Sequence, residues 1–206
     1  MSDEEPYLQV LNVTPVPIFP STLYCMDLHN DISEFFNSII DNVDFNTIGD
    51  NPHWVSKYNL LDEYPEIKKQ FTDVSLQVLS KVAGVEKIKM TTSWLTSIKP
   101  NTTPIMHRHS NCWFSGVYYF QDSPYSGLEF KNPIERDIDL VNYGSETMPG
   151  SLMNWTLKPK KNMLVIFPSY LHHRIMKNTF NEVRHSLAFN IMPDGIIGQN
   201  DSTFVY

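Results

Sequence analysis

The sequence predicts a mainly β protein whose helices are confined to its N-terminal part. From about residue 86 onward, short segments rich in β-branched and aromatic residues alternate with Pro, Gly, Asn and Asp. That pattern is typical of an antiparallel sandwich or barrel. Two earlier segments instead repeat their apolar residues with a helical period. An aromatic content of 13% and the presence of 14 prolines also favour strands and turns over a helical bundle.

The chain before residue 60 predicts an extended segment, a short helix and a loop. Residues 13–25 combine prolines with β-forming residues, which suits an edge strand or an extended arm because Pro cannot donate to a central ladder. Residues 31–40 predict a helix, with Asn30 or Asp31 as its cap. Its apolar positions are Ile32, Phe35, Phe36, Ile39 and Ile40. Residues 41–60 contain turn residues without a period and predict a loop.

A second helix is predicted between Pro65 and Gly84. Pro65 is tolerated in a first helical turn, and a glycine commonly ends a helix. Between them, apolar residues recur at spacings of three and four, which predicts one buried face. That face comprises Ile67, Phe71, Val74, Val78 and Val82.

Seven β-rich segments follow, and turn residues separate them. They cover residues 87–98, 113–120, 127–130, 151–157, 162–167, 172–176 and 185–192. At 206 residues the chain suits a single domain. We therefore predict one domain over 1–206, with a helical and extended part at about 1–85 and a β core at about 86–195.

Charge and composition exclude several classes of protein. The 16 Lys and Arg residues are scattered and are outnumbered by 23 Asp and Glu, for a net charge of -7, so nucleic acid is not favoured as a partner. No apolar run approaches the roughly 20 residues that cross a bilayer, and the N-terminus lacks the features of a signal peptide. Two cysteines do not make a disulfide framework, so a reduced, cytoplasmic setting is predicted.

Four of the seven histidines fall into two pairs that predict a metal site. His107 and His109 are two residues apart, so in a strand their side chains point the same way. A third ligand must then come from another strand, and His172 or His173, after the apolar run at 163–167, can supply it. An H-x-H pair alone is a weak signal. An adjacent pair also places only one of its members on a given face.

Arg184 and Ser186 place a cation and a hydroxyl on one face of an otherwise apolar strand. A buried cation is costly unless an anion neutralises it. Two interpretations follow from the residues. Arg184 forms a structural ion pair with an acidic residue of the chain, or it holds the carboxylate of a ligand bidentately.

The order of these motifs resembles the double-stranded β-helix oxygenases that depend on iron(II) and 2-oxoglutarate. The motifs are H-x-H, S-G-V-Y-Y-F, S-G-L-E-F-K-N-P, L-V-I-F-P-S-Y-L-x-H and R-x-S-L-A-F-N. More narrowly, the chain resembles a group of small bacterial and phage members of that superfamily, over about residues 18–192. The resemblance implies a jelly-roll, cupin-like core, with Fe(II) as cofactor and 2-oxoglutarate as cosubstrate.

The resemblance also implies roles for individual residues. His107 matches the first iron ligand and His173 the distal one, while Arg184 and Ser186 match the pair that holds the far carboxylate of 2-oxoglutarate. Tyr119 resembles a tyrosine that contacts the same carboxylate in some relatives. The implied metal ligands are His107, His109 and His173.

His109 is a departure from the superfamily, in which Asp or Glu usually stands two residues after the first ligand. The narrower group also has His there. A third neutral imidazole leaves the metal charge unbalanced by protein and makes the site softer, which favours zinc, copper or nickel relative to iron. Asn111, next on the same face by strand alternation, is an alternative contact for the water on the metal or for the substrate.

The expected activity is a dioxygenase reaction that hydroxylates an unidentified substrate and releases succinate and CO2, with 2-oxoglutarate and O2 as partners. Two alternatives stay open: a cupin-like zinc or nickel protein that is not an oxygenase, and a structural or interaction protein on the same fold. Trp113, Phe114 and Tyr125 are candidates either for the substrate side or for the core. The loops expected to select the substrate are 41–60 and 131–150, and the sequence predicts no oligomeric state.

Overall fold

A computed structural model describes residues 21–49, 51–122, 127–134 and 154–205. Within these residues the chain forms twelve strands. In chain order they are β1 Tyr24–Asp27, β2 Asn46–Ile48, β3 Asn51–Val55, β4 Ile88–Ile98, β5 Phe114–Tyr119, β6 Leu128–Lys131, β7 Asn154–Leu157, β8 Met163–Pro168, β9 His173–Ile175, β10 Arg184–Pro193, β11 Ile196–Ile197 and β12 Phe204–Val205. All seven predicted β segments contain a strand.

The strands form two facing sheets and a separate short pair. The larger sheet has the order β1-β8-β5-β10-β4-β3-β2, and the smaller has the order β7-β6-β9. Every pairing between named strands is antiparallel. The mainly β, jelly-roll fold predicted for the core is therefore confirmed.

Two α-helices lie where the sequence predicts them. Helix α1 spans Ser33–Ile39, and its N-cap residue is Ile32 rather than the predicted Asn30 or Asp31. Asp31, one residue earlier, accepts a hydrogen bond from the backbone N–H of Ser33 at 2.8 Å. Helix α2 spans Pro65–Ala83, and Gly84 follows it in the left-handed conformation at φ 65°. Single 3₁₀ turns lie at Ile40–Asn42, Leu60–Glu63 and Asn200–Ser202. Among the described residues, neither helix has the length and apolar content needed to span a membrane.

The buried face of α2 differs from the predicted one. Phe71, Ser75 and Leu79 are buried, whereas Val82 is 48% exposed. Ser75 is accommodated because its hydroxyl donates to the backbone oxygen of Phe71 at 2.6 Å. The buried residues Phe71, Ser75 and Leu79 are spaced by four, and this spacing defines the buried face. The face diverges from the predicted one toward the C-terminal end of the helix.

The larger sheet is packed on both faces. Alternate side chains of β5, β8 and β10 point toward the helices and form one core with α1 and α2, which includes Phe36, Phe71, Tyr118 and Phe189. The intervening side chains point toward the smaller sheet, where Tyr119, Val165 and Phe167 meet Leu128 and Phe130. The layers are thus helices, large sheet and small sheet, and the candidate site lies between the two sheets.

The prediction of a loop over residues 41–60 is wrong. Strands β2 and β3 form a hairpin there, and β3 pairs with β4 through Trp54 opposite Ser97. Gly49, one of the turn residues that suggested a loop, follows β2 with a positive φ of 56°. The hairpin extends the edge of the large sheet.

Two further predictions fall partly outside the described residues. Of the edge strand or arm predicted at 13–25, the described part begins at residue 21, and β1 occupies the edge of the large sheet beside β8. Of the predicted loop at 131–150, residues 135–150 lie outside the described chain.

Candidate metal and anion site

Three histidines converge between the sheets. Each offers one ring nitrogen, and these three atoms, from His107, His109 and His173, lie within 4.8 Å of one another. The ring centroids are 4.6 Å apart for His107 and His173, 5.1 Å for His109 and His173, and 5.2 Å for His107 and His109. Imidazoles gathered at these separations can share one metal ion.

The backbone that positions these residues is not the predicted strand. His107 forms an isolated antiparallel bridge to His173, with N–O distances of 2.9 and 2.8 Å, and the N–H of His109 donates to the backbone oxygen of Ser169 at 3.1 Å. Strand β5 begins only at Phe114. Pairing with the segment 169–173 therefore brings the side chains together, rather than strand alternation.

Hydrogen bonds hold two of the three rings in one tautomer. Nδ1 of His107 lies 3.0 Å from the backbone oxygen of Ile105, and Nδ1 of His173 lies 2.8 Å from that of Leu171. A carbonyl oxygen can only accept, so Nδ1 carries the proton in both rings. The Nε2 lone pairs are then available to a metal, an arrangement that is usual for metal-bound histidine.

Burial keeps these imidazoles neutral at physiological pH. Together with a smaller contribution from the neighbouring His107, burial lowers the pKa of His173 to about 3 and that of His109 to about 4. Burial lowers the pKa of His107 as well, although its hydrogen bond to Ile105 opposes the shift. Neutral imidazole is the form that binds metals, so little proton release has to accompany binding.

His172, the other member of the second pair, is not part of the cluster. It is exposed, and its backbone oxygen accepts a hydrogen bond from the N–H of Lys131 at 2.8 Å. His173 is only 4% exposed. The sequence left the choice between the two open on residues alone, and the structure brings His173 to the cluster.

Arg184 and Ser186 share one face of β10, as predicted. Both are buried, and the guanidinium carbon of Arg184 lies 5.2 Å from the centre of the Tyr119 ring. Burial raises the pKa of Tyr119 to about 12, and Arg184 partly offsets that rise. Burial also lowers the pKa of Arg184, while Tyr119 opposes that shift. A guanidinium and two hydroxyls are therefore grouped in a water-poor interior.

A cavity connects part of this group to the histidines. Its wall includes all three histidines together with Tyr119, Ser186 and Thr96. Much of the remaining wall is apolar, including Val117, Leu128 and Ile175. Neutral imidazoles at one place and an arginine with hydroxyls at another fit a transition metal and an anionic ligand that bridges the two groups.

His53 is part of this wall and was missed by sequence reasoning. It lies on β3, inside the segment predicted as a loop, and is 6% exposed. Burial lowers its pKa to about 4, with smaller contributions from His107 and His109. The signal that could have found it is the run His53-Trp54-Val55 after the turn residues Gly49 to Pro52, which is the pattern of a hairpin strand.

Some candidate residues lie elsewhere. Asn111 is exposed at φ 57° in a turn, so the expectation that it shares a strand face with His109 is wrong. Phe114 is buried in the core beneath the helices, with Trp113 packed against it at 4.8 Å between ring centres. These two aromatics are therefore core residues. Tyr125 lies outside the described residues.

Comparison with known proteins defines the class. Residues 92–190 match the model of a family described as "Putative 2OG-Fe(II) oxygenase". The resemblance to the 2-oxoglutarate/Fe(II) oxygenases that was drawn from the motifs is therefore confirmed by the match over these residues. The expectation of an oxidoreductase of this class, with Fe(II) and 2-oxoglutarate, agrees with that family. No curated protein gives a significant match.

Solved structures agree on the fold. SnoK, a non-heme alpha ketoglutarate dependent carbocyclase from nogalamycin biosynthesis, is 10% identical with a TM-score of 0.63, and the match covers 85% of this chain and 81% of SnoK. HygX from Streptomyces hygroscopicus, solved with nickel, 2-oxoglutarate and hygromycin B, is 10% identical with a TM-score of 0.60, and the match covers 84% of this chain and 83% of HygX. A Pseudomonas putida prolyl-4-hydroxylase is 14% identical with a TM-score of 0.53, and the match covers 85% of this chain and 94% of the hydroxylase.

Proposed function

We propose that this protein is a 2-oxoglutarate- and Fe(II)-dependent dioxygenase that hydroxylates an as yet unidentified substrate. In this reaction 2-oxoglutarate, O2 and a substrate C–H group give succinate, CO2 and the alcohol. The observation that carries the proposal is that three converging histidines and the buried Arg184 group lie on one cavity wall or directly beside it. The family match over residues 92–190 supports it.

His107, His109 and His173 are the proposed metal ligands. In His107 and His173 the hydrogen-bonded Nδ1 leaves the Nε2 lone pair available, and the offered nitrogens of all three rings lie within 4.8 Å of one another. All three rings are neutral at physiological pH for the reasons given above. Bound iron(II), with 2-oxoglutarate and dioxygen, supplies the oxidising chemistry, and the protein supplies binding and orientation. The surrounding apolar wall keeps water away from the reacting groups.

Arg184, Ser186 and Tyr119 are proposed to hold the far carboxylate of 2-oxoglutarate. Arg184 provides a planar fork of donors that matches a carboxylate, and Ser186 and Tyr119 add hydroxyl donors. All three are at most 5% exposed, so their hydrogen bonds face little competition from water. The carboxylate in turn compensates the buried positive charge.

A second candidate follows from the histidine ligands themselves. Three imidazoles with no carboxylate form a softer site than the usual two histidines and one carboxylate, and such a site has a greater relative affinity for zinc or nickel. A cupin-like metal protein without oxygenase activity would use the same three side chains. It would have no need of the arginine and hydroxyls beside the cavity.

The test is binding of 2-oxoglutarate to anaerobic, Fe(II)-loaded protein. We expect the weak visible charge-transfer band of a chelated 2-oxo acid. Arg184→Ala should weaken 2-oxoglutarate binding by about 100-fold, the loss of a charged hydrogen-bonded contact, without abolishing metal binding. Arg174→Ala is the matched control, because Arg174 pairs with Glu129 in the small sheet and is 40% exposed.

The opposite result would favour the cupin-like candidate. Tight zinc binding with no affinity for 2-oxoglutarate and no visible band would refute the oxygenase.

If 2-oxoglutarate does bind, succinate release measured across small molecules, peptides and nucleobases identifies the substrate. The net charge of -7 disfavours nucleic acid. We also propose a cytoplasmic location, supported by two cysteines that are both free thiols, Cys25 and Cys112.

A further inference from the structure

His53 is a buried polar residue in the site that the oxygenase motifs do not include. It lies on β3, before the matched region at 92–190, and its ring centre is 6.1 Å from that of His107. Its Nε2 lies 3.4 Å from Oγ1 of Thr96, which is the long end of hydrogen-bond distance. Within the described part of the chain, no shorter hydrogen bond of this ring is found.

Three neighbouring strands carry a continuous polar band across this wall. Thr96 on β4 is directly opposite Ser186 on β10, and Val55 on β3 is directly opposite Thr96. His53 is two residues from Val55 and so shares its face of the sheet. The band therefore runs from His53 through Thr96 to Ser186, starting beside His107.

Two simpler roles for His53 fit the geometry less well. A fourth metal ligand would have to approach the cluster as closely as the other rings, whose centres are 4.6 to 5.2 Å apart, yet His53 is 6.1 Å from the nearest of them. A purely structural imidazole is expected to satisfy its polar atoms with short hydrogen bonds when it is 6% exposed. A ligand in the cavity would complete those contacts.

We propose that His53 donates a hydrogen bond to the carboxylate of 2-oxoglutarate that lies next to the metal, while Thr96 fixes the orientation of its ring. This inference rests on the proposed function. The ring centre of His53 is 6.1 Å from that of His107, on the metal side of the cavity wall, whereas Arg184 serves the other end of the same molecule. In a site with three neutral imidazoles and no carboxylate ligand, His53 stabilises negative charge at the metal without adding charge.

The test separates the two ends of the ligand. Zn(II)-loaded protein avoids oxygen chemistry, and calorimetry measures its binding of 2-oxoglutarate and of oxalate, which offers only the metal-binding end. We expect His53→Ala to weaken both ligands by about 10- to 100-fold, since a hydrogen bond to a charged group is lost. Arg184→Ala should weaken 2-oxoglutarate alone. Zinc affinity, measured by chelator competition, should be unchanged in His53→Ala.

Further variants control for folding. His53→Gln keeps an N–H donor of similar size and should recover most of the affinity for both ligands. Thr96→Val should weaken both by less than His53→Ala does. His29→Gln is the control: it removes an exposed histidine that is not part of the cavity wall. It should bind both ligands as the wild type does. In the Fe(II) protein, His53→Ala should also shift the charge-transfer band.

The outcomes are distinguishable. If soluble, folded His53→Ala and His53→Gln bind both ligands as the wild type does, the inference is overturned and the proposed function stands. If zinc affinity falls with His53→Ala as far as it does with His109→Ala, His53 is a metal ligand and the inference is likewise overturned. If the wild type binds oxalate but not 2-oxoglutarate, the proposed function is what fails.

Discussion

Replacing Gly116 by alanine should destabilise the protein because a fully buried ring occupies the space of the new methyl group. Gly116 on β5 lies directly opposite Phe189 on β10. A Cβ added at Gly116 would lie 2.3 Å from Cζ and 2.4 Å from Cε2 of that ring. Carbon atoms prefer separations of about 3.5 to 4.0 Å, so the ring would have to move by about 1 Å.

The cost follows from how tightly Phe189 is held. The ring is 0% exposed and lies 5.6 Å from that of Phe71 on α2, so its displacement disturbs the packing between helix and sheet. Overpacking of a core typically costs about 1 to 3 kcal/mol, and a displacement of this size belongs at the upper end, about 3 kcal/mol. Gly116 does not have a positive φ, so backbone strain adds nothing to the steric effect.

Chemical unfolding in urea measures this loss, and a second substitution tests its cause. Phe189→Leu removes the ring and by itself should also destabilise the protein. The double variant Gly116→Ala with Phe189→Leu should lose less free energy of unfolding than the sum of the losses in the two single variants, by about 1 kcal/mol or more. Strictly additive effects, or a Gly116→Ala variant as stable as the wild type, would refute the reasoning.

Three further predictions concern protons, metal and a buried amide. Because burial lowers the pKa of His173 to about 3 and that of His53 to about 4, the unfolded chain binds protons near pH 6.5 that the folded chain does not. The metal-free protein should therefore lose stability as the pH falls from about 6.5 to about 4, by up to about 1.4 kcal/mol per pH unit for each histidine. Urea unfolding at a series of pH values measures this loss, and a free energy of unfolding that does not change with pH would contradict the prediction. Zinc should raise the melting temperature of the wild type but not that of His109→Ala, as scanning calorimetry can show, because a metal that binds only the folded state stabilises it. Asn178→Ala should cost about 3 kcal/mol in urea unfolding, because its buried side chain donates to the backbone oxygens of Ile98 and Glu182; a cost below about 1 kcal/mol would show that water replaces these bonds.

The β core was predictable because its signals are local. Alternating apolar segments separated by turn residues mark strands directly, and each of the seven predicted segments contains one. Helix α2 was predictable for a similar reason, since Pro65 and Gly84 mark its ends. The orientation of its face was less predictable, because the register against the sheet, rather than the average period, selects Leu79 over Val78 and Val82.

The site was predictable where residue spacing and family resemblance agreed. His107, His109 and His173 converge, but the contact that brings them together pairs residues 107 and 173, which are far apart in the sequence. His53 illustrates the limit. Its strand is only five residues long and gains its stability from pairing with β4, so its own sequence carries a weak signal.

The two-sided packing of the large sheet bears on where the chain can be cut. A fragment limited to residues 86–195 would keep His107, His109, His173, Arg184 and both sheets except β1, β2 and β3, and it would lose His53. It would also expose Tyr118, Leu187 and Phe189, which the N-terminal helices now cover, and leave the long edge of β4 open. Such a surface favours aggregation over catalysis. For this protein the motif-bearing half is therefore not a portable module, and exchanging it between relatives would require the helix-facing side of the sheet to be redesigned as well.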